Sequence, residues 1–347
     1  MKKTSYQSPV TSHYNITLAH GSGGRLTHEL ISSLFRKYFS NPALNAMDDA
    51  AELKLAAKEN RLAFTTDSFV VDPIFFPGGD IGKLAVCGTV NDLAMKGARP
   101  IAISIAAIIE EGFSISALEK ITESAAKAAK EAGVNIVTGD TKVVEKGKAD
   151  RIFLTTSGVG IIEAGVNISG RNARPGDAVL ISGTIGDHGI AVLSARNEFK
   201  LKSAVKSDCA PLNRLANRIT STCRNIHVMR DPTRGGLATT LNEIASASGC
   251  GIIIDEKMIP VKREVRAACN ILGFDPLYVA NEGKLIAILP ENRSRKTLFA
   301  MRKDTYGKGS AVIGKVVNLP KGVWIKTAAG GMRPVVMLEG EQLPRIC

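Results

Sequence analysis

Apolar positions along this chain follow two rhythms, one recurring every three or four residues and one running in short, nearly unbroken blocks. Over residues 25–39, Leu26, Leu30, Ile31, Leu34 and Phe35 have the spacing that lines one side of a helix. Residues 62–71 read as a strand, and 81–97 as a helix that Gly97 stops. The block 101–109 is almost entirely apolar, which predicts a strand covered on both faces. Ser116 and Glu119 have the spacing of a capping box that opens an alanine-rich helix ending near Gly133. Strands are expected at 135–138 and 152–160.

The loop 169–177, with Arg174-Pro-Gly-Asp177, marks a domain boundary. Beyond it come a strand at 178–182, helices at 190–195 and 212–224, and a helix after Thr233. A strand at 252–255, a helix at 262–272 and strands at 285–289 and 311–317 complete the pattern. Helices and strands mix in both halves, so the fold class is α/β (α+β) with two domains. The expected organisation is a disordered polar extension at 1–14, domains at 15–168 and 169–320, and a C-terminal segment and mobile tail at 321–347. Gly88-Thr-Val-Asn-Asp92 and Gly183-Thr-Ile-Gly-Asp187 faintly echo each other across the halves.

With 347 residues the chain can bury a large core. No apolar run reaches the length that spans a bilayer, and the first 19 residues lack a signal-peptide core, so no membrane association is expected. Six scattered cysteines without a C-x-x-C pair argue against a disulfide framework or zinc site and fit a cytoplasmic protein. The net charge of +12 suits polyanions, nucleotides or an acidic partner. The basic residues are spread out, however, and five tyrosines and one tryptophan offer little base stacking, which speaks against nucleic acid. The final residue is Cys347, after a glycine- and proline-punctuated stretch that reads as a mobile arm able to carry a sulfur into a cleft.

Five aspartates stand in motifs suited to chemistry. They are Asp49 in Met47-Asp-Asp-Ala50, Asp67 in Thr65-Thr-Asp-Ser68, Asp92 after Asn91, Asp140 in Thr138-Gly-Asp-Thr-Lys142, and Asp231 in Asp231-Pro-Thr-Arg-Gly-Gly236. Any one alone suits a cap, a turn or a salt bridge. Gathered together, they suit Mg²⁺ bridging nucleotide phosphates, which needs one or two carboxylates plus phosphate oxygens. His20-Gly21-Ser22-Gly23-Gly24 presents backbone amides before a helix, a candidate anion cradle that is not a Walker loop. Lys142 and Arg234 can neutralise phosphate oxygens. Glu282, in Ala280-Asn-Glu-Gly-Lys284, is either a general base or a turn residue pairing with Lys284. His28 reads as a helix-surface residue.

On these motifs the chain resembles the [NiFe]-hydrogenase maturation carbamoyl dehydratases, the HypE family, within the superfamily of aminoimidazole ribonucleotide synthetase and selenophosphate synthetase. The resemblance runs from Leu18-Ala-His-Gly-Ser-Gly-Gly24 through Thr66-Asp-Ser-Phe-Val-Val-Asp-Pro73, Phe76-Pro-Gly-Gly79, Thr138-Gly-Asp-Thr-Lys-Val-Val144, Gly183-Thr-Ile-Gly-Asp-His-Gly189 and Ala280-Asn-Glu-Gly-Lys284 to Pro344-Arg-Ile-Cys347. It implies a two-domain aminoimidazole ribonucleotide synthetase-like fold that pairs as a homodimer and holds ATP between domains. It further implies that a carbamoyltransferase, HypF, loads a carboxamide onto Cys347. An ATP-dependent step dehydrates that group to a thiocyanate, and the cyano group passes to iron on a HypC–HypD scaffold. Carried onto this sequence, Asp49, Asp67, Asp92 and Asp140 take Mg²⁺ and phosphate, Lys142 steadies phosphate, and Glu282 is the base. His20 and the following glycines close over the nucleotide, Asp231 is a lesser candidate, and Arg345 would favour the Cys347 thiolate. A superfamily member acting on a free small molecule, or a passive carrier without ATP hydrolysis, would fit the same motifs but differ in its need for Cys347.

Overall fold

A computed structural model describes residues 24–35, 38, 44–54, 61–196, 204–338 and 345–347. The expected disordered extension and four residues of the glycine-rich segment, His20, Gly21, Ser22 and Gly23, lie outside the described residues. Gly24 is the N-cap of α1 (Arg25–Leu30), which continues as a π-helical turn to Phe35.

In the first half, strands β1 (Ala51–Lys54), β2 (Arg61–Phe69), β7 (Ile152–Ile162), β5 (Ala98–Glu110) and β6 (Asn135–Val144) lie side by side in that order. The β5–β6 pair is parallel and the others antiparallel. A small hairpin, β3 (Phe75–Phe76) with β4 (Gly79–Asp80), leads into α2 (Ile81–Met95), where the Asp80 carboxylate accepts the amides of Gly82 at 2.8 Å and Lys83 at 3.1 Å. Thirteen of the fifteen residues of α2 are buried, so this helix is apolar all round and sits inside the molecule. One side covers β2, β5 and β7, and another packs on α3 (Ile115–Ala132). The capping box does not form. The N-cap is Ser114, its side chain bonds Ser116 rather than a backbone amide, and Ser116 lies within the first turn.

The block at 101–109 is not covered on both faces, because alternate side chains of the sheet point away from α2. Ile108 is 44 % exposed, and Phe64 is exposed with it. The strands that are covered on both faces lie in the second half. There β14 (Met332–Val335), β13 (Gly322–Lys326), β10 (Gly251–Asp255), β12 (Ala311–Val317), β8 (Asp177–Ile181), β11 (Ile286–Pro290) and β9 (Val228–Arg230) form one sheet in that order. Along β8, Val179 and Ile181 join one core with α6 (Gly236–Ser248), while Ala178 and Leu180 join another with α5 (Asn213–Thr222) and α8 (Glu291–Arg302). Three residues of the expected tail segment, Val323, Ile325 and Val335, are therefore core residues of this sheet. The faint echo carries no structural likeness, since one copy lies within α2 and the other on a turn before α4 (Asp187–Ser194).

The halves share a core. Residues of α2 and α3 pack with Ile190–Leu193 of α4, with Val265 and Cys269 of α7 (Arg263–Leu272), and with Ile346. The α2–α3 contact is close enough that a Cβ on Gly82 would stand 2.3 Å from the Ile121 carbonyl oxygen. Gly82→Ala should therefore force α3 outward and cost about 1–3 kcal/mol. A thermal midpoint equal to that of the parent chain would show that the helices can part freely.

Candidate functional site

The acidic cluster forms where three chain segments meet. Asp49 precedes β1, Asp92 is in the last turn of α2, and Asp231 follows β9 directly. One carboxylate oxygen from each lies within 4.8 Å of the others. Thr65, on the face of β2 toward α2, ties the segments together: its hydroxyl donates to Asp92 at 2.7 Å and also lies 3.2 Å from the Asp49 carbonyl. Asp67 is on the same face of β2, and its charge is felt by Asp92, Asp231 and Glu282. Behind Asp231, Gly235 and Gly236 adopt φ of +71° and +61°, and a Cβ on Gly236 would stand 2.6 Å from the Leu277 carbonyl oxygen. The turn into α6 thus depends on glycine for both backbone conformation and space.

Burial crowds these charges together, and it raises the carboxyls above their ordinary range. Asp49 is pushed up to about 8 by burial, against the opposing pull of Arg230, while Asp231 is pushed up to about 6 by burial. Asp92 is raised by burial and then by Asp231 and Asp67. The Arg230 guanidinium stands 2.7 Å from both Asp49 and Glu243. Glu243 also holds His28 of α1 at 2.9 Å, so His28 is not a bare surface residue, and this hydrogen bond raises its pKa. A cavity of about 710 Å³ opens here, lined by Arg25, His28, Asp48, Arg171, Arg230 and Glu243 among others. Three oxygen-donor carboxylates this close, all raised by burial, fit a hard divalent cation such as Mg²⁺.

Glu282 is 4 % exposed, and its Oε1 has no hydrogen-bond partner. Burial raises its pKa well above the ordinary value, with Cys209, Asp231 and Asp67 adding to the shift. Its backbone is fixed by Asp208, which accepts the Glu282 amide at 3.1 Å and pairs with Lys284 at 3.0 Å. Lys284 is therefore the partner of Asp208 and not of Glu282. Asp140 and Lys142 lie elsewhere. Asp140 is in register with Ala106, Thr155 and Ser68, the row that faces away from α2, whereas Asp67 and Thr156 form the row facing it. Both side chains are exposed and pair with each other at 3.0 Å, which lowers the Asp140 pKa. In the single chain they cannot join the cluster.

The end of the chain is docked between the halves. The amides of Val70 and Asp72 donate to the carbonyls of Cys347 at 3.3 Å and Arg345 at 3.1 Å. His188 bonds the Ile346 carbonyl at 2.8 Å, and Ile346 is 4 % exposed. Arg345 is engaged with Asp150 and with the Val70 carbonyl, so its guanidinium serves docking.

The residues 47–162 match the family model of the AIR synthase related protein N-terminal domain, and 174–325 match its C-terminal domain. The carbamoyl dehydratase HypE of Cupriavidus necator is 50% identical over 347 residues, which is 99% of this chain and 99% of the relative. The chain belongs to the HypE carbamoyl dehydratase family. Among HypE structures, one solved in complex with ATP superposes with a TM-score of 0.80 at 51% identity, covering 95% of this chain and 100% of that one. A HypE from a HypE–HypF complex gives a TM-score of 0.84 at 51% identity, covering 89% of this chain and 99% of that one.

In this HypE-family chain, sequence reasoning missed Arg230, Glu243, Asp208 and His188. Arg230 and Glu243 carried a usable signal, since each is a charged residue inside an otherwise apolar element. Protonation gives the cluster a testable sign. Because the carboxyl pKa values are raised on folding, the stability these groups contribute is present in acid. It is lost as pH rises through about 6 for Asp231 and about 8 for Asp49. Mg²⁺ competes with those protons, so the rise in melting midpoint that it produces should grow from about pH 6 to about pH 8.5 and vanish in Asp92→Asn. A rise independent of pH would mean that the cation binds elsewhere.

Proposed function

We propose that this chain is the ATP-dependent carbamoyl dehydratase of [NiFe]-hydrogenase maturation, acting on a carboxamide carried by its own Cys347. The observation that carries the reading is the docking of the chain end on Val70–Asp72, the direct continuation of the strand that holds Thr65 and Asp67. A sulfur carried by that segment is delivered to the strand that helps to build the acidic cluster. The ATP-bound relative and the cavity beside Arg230 support ATP as co-substrate. Mg²⁺ bound by Asp49, Asp92 and Asp231, with Asp67 beside them, supplies positive charge against phosphate oxygens.

The chemistry follows from the poor leaving ability of an amide oxygen. That oxygen attacks the γ-phosphorus, ADP departs and one N–H proton is released to solvent, leaving an O-phosphorylated imidate. Loss of the remaining N–H proton and cleavage of the C–O bond then give the thiocyanate and inorganic phosphate, so the oxygen leaves in the phosphate. Glu282 is the assigned base. Its desolvated carboxyl, orphaned at Oε1, is suited to proton transfer in a dry site. His20, Gly21, Ser22, Gly23 and Gly24 are assigned to nucleotide closure.

HypF is the assigned loading partner, in keeping with the HypE–HypF complex of a relative, and a HypC–HypD scaffold is the assigned acceptor. The open apolar face of the first sheet supports a homodimer, and Asp140 and Lys142 are assigned to that dimer surface. Intact-mass spectrometry with HypF, carbamoyl phosphate and ATP tests the reading. The C-terminal peptide should gain a carboxamide and then lose one water. Cys347→Ala should never load, whereas Glu282→Gln should load but dehydrate roughly 10²–10⁴-fold more slowly. Cyanide-ligand assembly by Cys347→Ala would instead favour a free small-molecule substrate.

A further inference from the structure

The docked end of the chain makes contacts of a kind that read sequence. Two main-chain bonds hold the segment along residues 70–72, from Val70 N–H to Cys347 and from Asp72 N–H to Arg345, and between them the side-chain Nε of Arg345 donates to the Val70 carbonyl. Between these bonds each side chain meets a matched surface. Arg345 reaches the Asp150 carboxylate, and its carbonyl also accepts from Arg196 at 2.9 Å, while Arg196 in turn donates to the Asp72 carbonyl at 2.8 Å. Ile346 enters the core shared by the two halves, beneath its carbonyl bond to His188. The His188 ring is fixed from its other side by the Ser207 hydroxyl at 2.8 Å and by the edge-on ring of Phe76 at 5.4 Å. Arg345 itself holds φ of +54°, a conformation unfavourable for a side-chain-bearing residue unless contacts on both sides impose it.

We propose that residues 70–72, with Asp150, His188 and Arg196, form a peptide-recognition groove specific for an arginine followed by a branched apolar residue. It accepts that sequence from a separate peptide as well as from the chain's own end. Arg345 and Ile346 are thus specificity-determining residues that fix where the sulfur of Cys347 lies. The proposal deepens the dehydratase reading but is measured without ATP or any partner, so the two can fail separately.

Five of the six cysteines are buried and Cys347 is partly exposed, so thiol labelling followed by mass spectrometry of the C-terminal peptide reports docking in the full chain. Ile346→Ser should raise the labelling rate of Cys347 about tenfold, the scale set by exposing one branched apolar side chain. Arg345→Gln and Asp150→Asn should raise it a few-fold. Arg333→Gln, which removes an exposed pair with Asp275, serves as the control and should leave it unchanged. A synthetic peptide ending Pro-Arg-Ile-Ser, added to the unaltered chain, should displace the docked end and speed labelling, whereas one ending Pro-Glu-Ser-Ser should not. Parent-like rates in all three groove variants, or equal effects of the two peptides, would overturn the proposal. The peptide arm holds even if a variant folds poorly.

Discussion

The structure is governed by the cost of placing several carboxylates in one desolvated place. Asp49, Asp92 and Asp231 are brought together from three separate segments, Asp67 adds its field, and Arg230 is shared with Glu243. Like charges at such separations raise one another's pKa unless something cationic intervenes. The surrounding architecture holds the arrangement rigid. A helix buried on nearly all sides carries Asp92, a central strand carries Asp67 and Thr65, and a glycine-dependent turn follows Asp231. Strain of this sort is tolerated where a ligand will relieve it.

Much of the fold was legible because period and punctuation agree. Gly97 and Gly133 stop their helices in the left-handed conformation, as residues without Cβ do. What failed was inference about coverage. The apolar block at 101–109 reads as buried on both faces, yet an apolar strand is equally compatible with a face left open for another surface. The capping box failed because Ser114 and Ser116 both suit a helix start, and the helix begins at the earlier one.

The candidate site was half legible. Asp49, Asp67, Asp92 and Asp231 could be picked out by residue type in apolar or turn settings, but the pairing of rows in the sheet is invisible in a linear sequence. That pairing sends Asp140 and Lys142 to the opposite face from Asp67. Arg230, Glu243 and Asp208 matter through distant partners, and only the tertiary fold supplies those. Glycine and proline near the end of the chain suggest a mobile arm, whereas its last three residues are engaged by backbone, ring and guanidinium together.

The alternation of contacts along residues 70–72 has a consequence for length. Side chains on an added strand switch sides at every step, so one extra residue between the Arg345 anchor and Cys347 would turn the sulfur toward the wrong wall. The distance from anchor to thiol is therefore quantised.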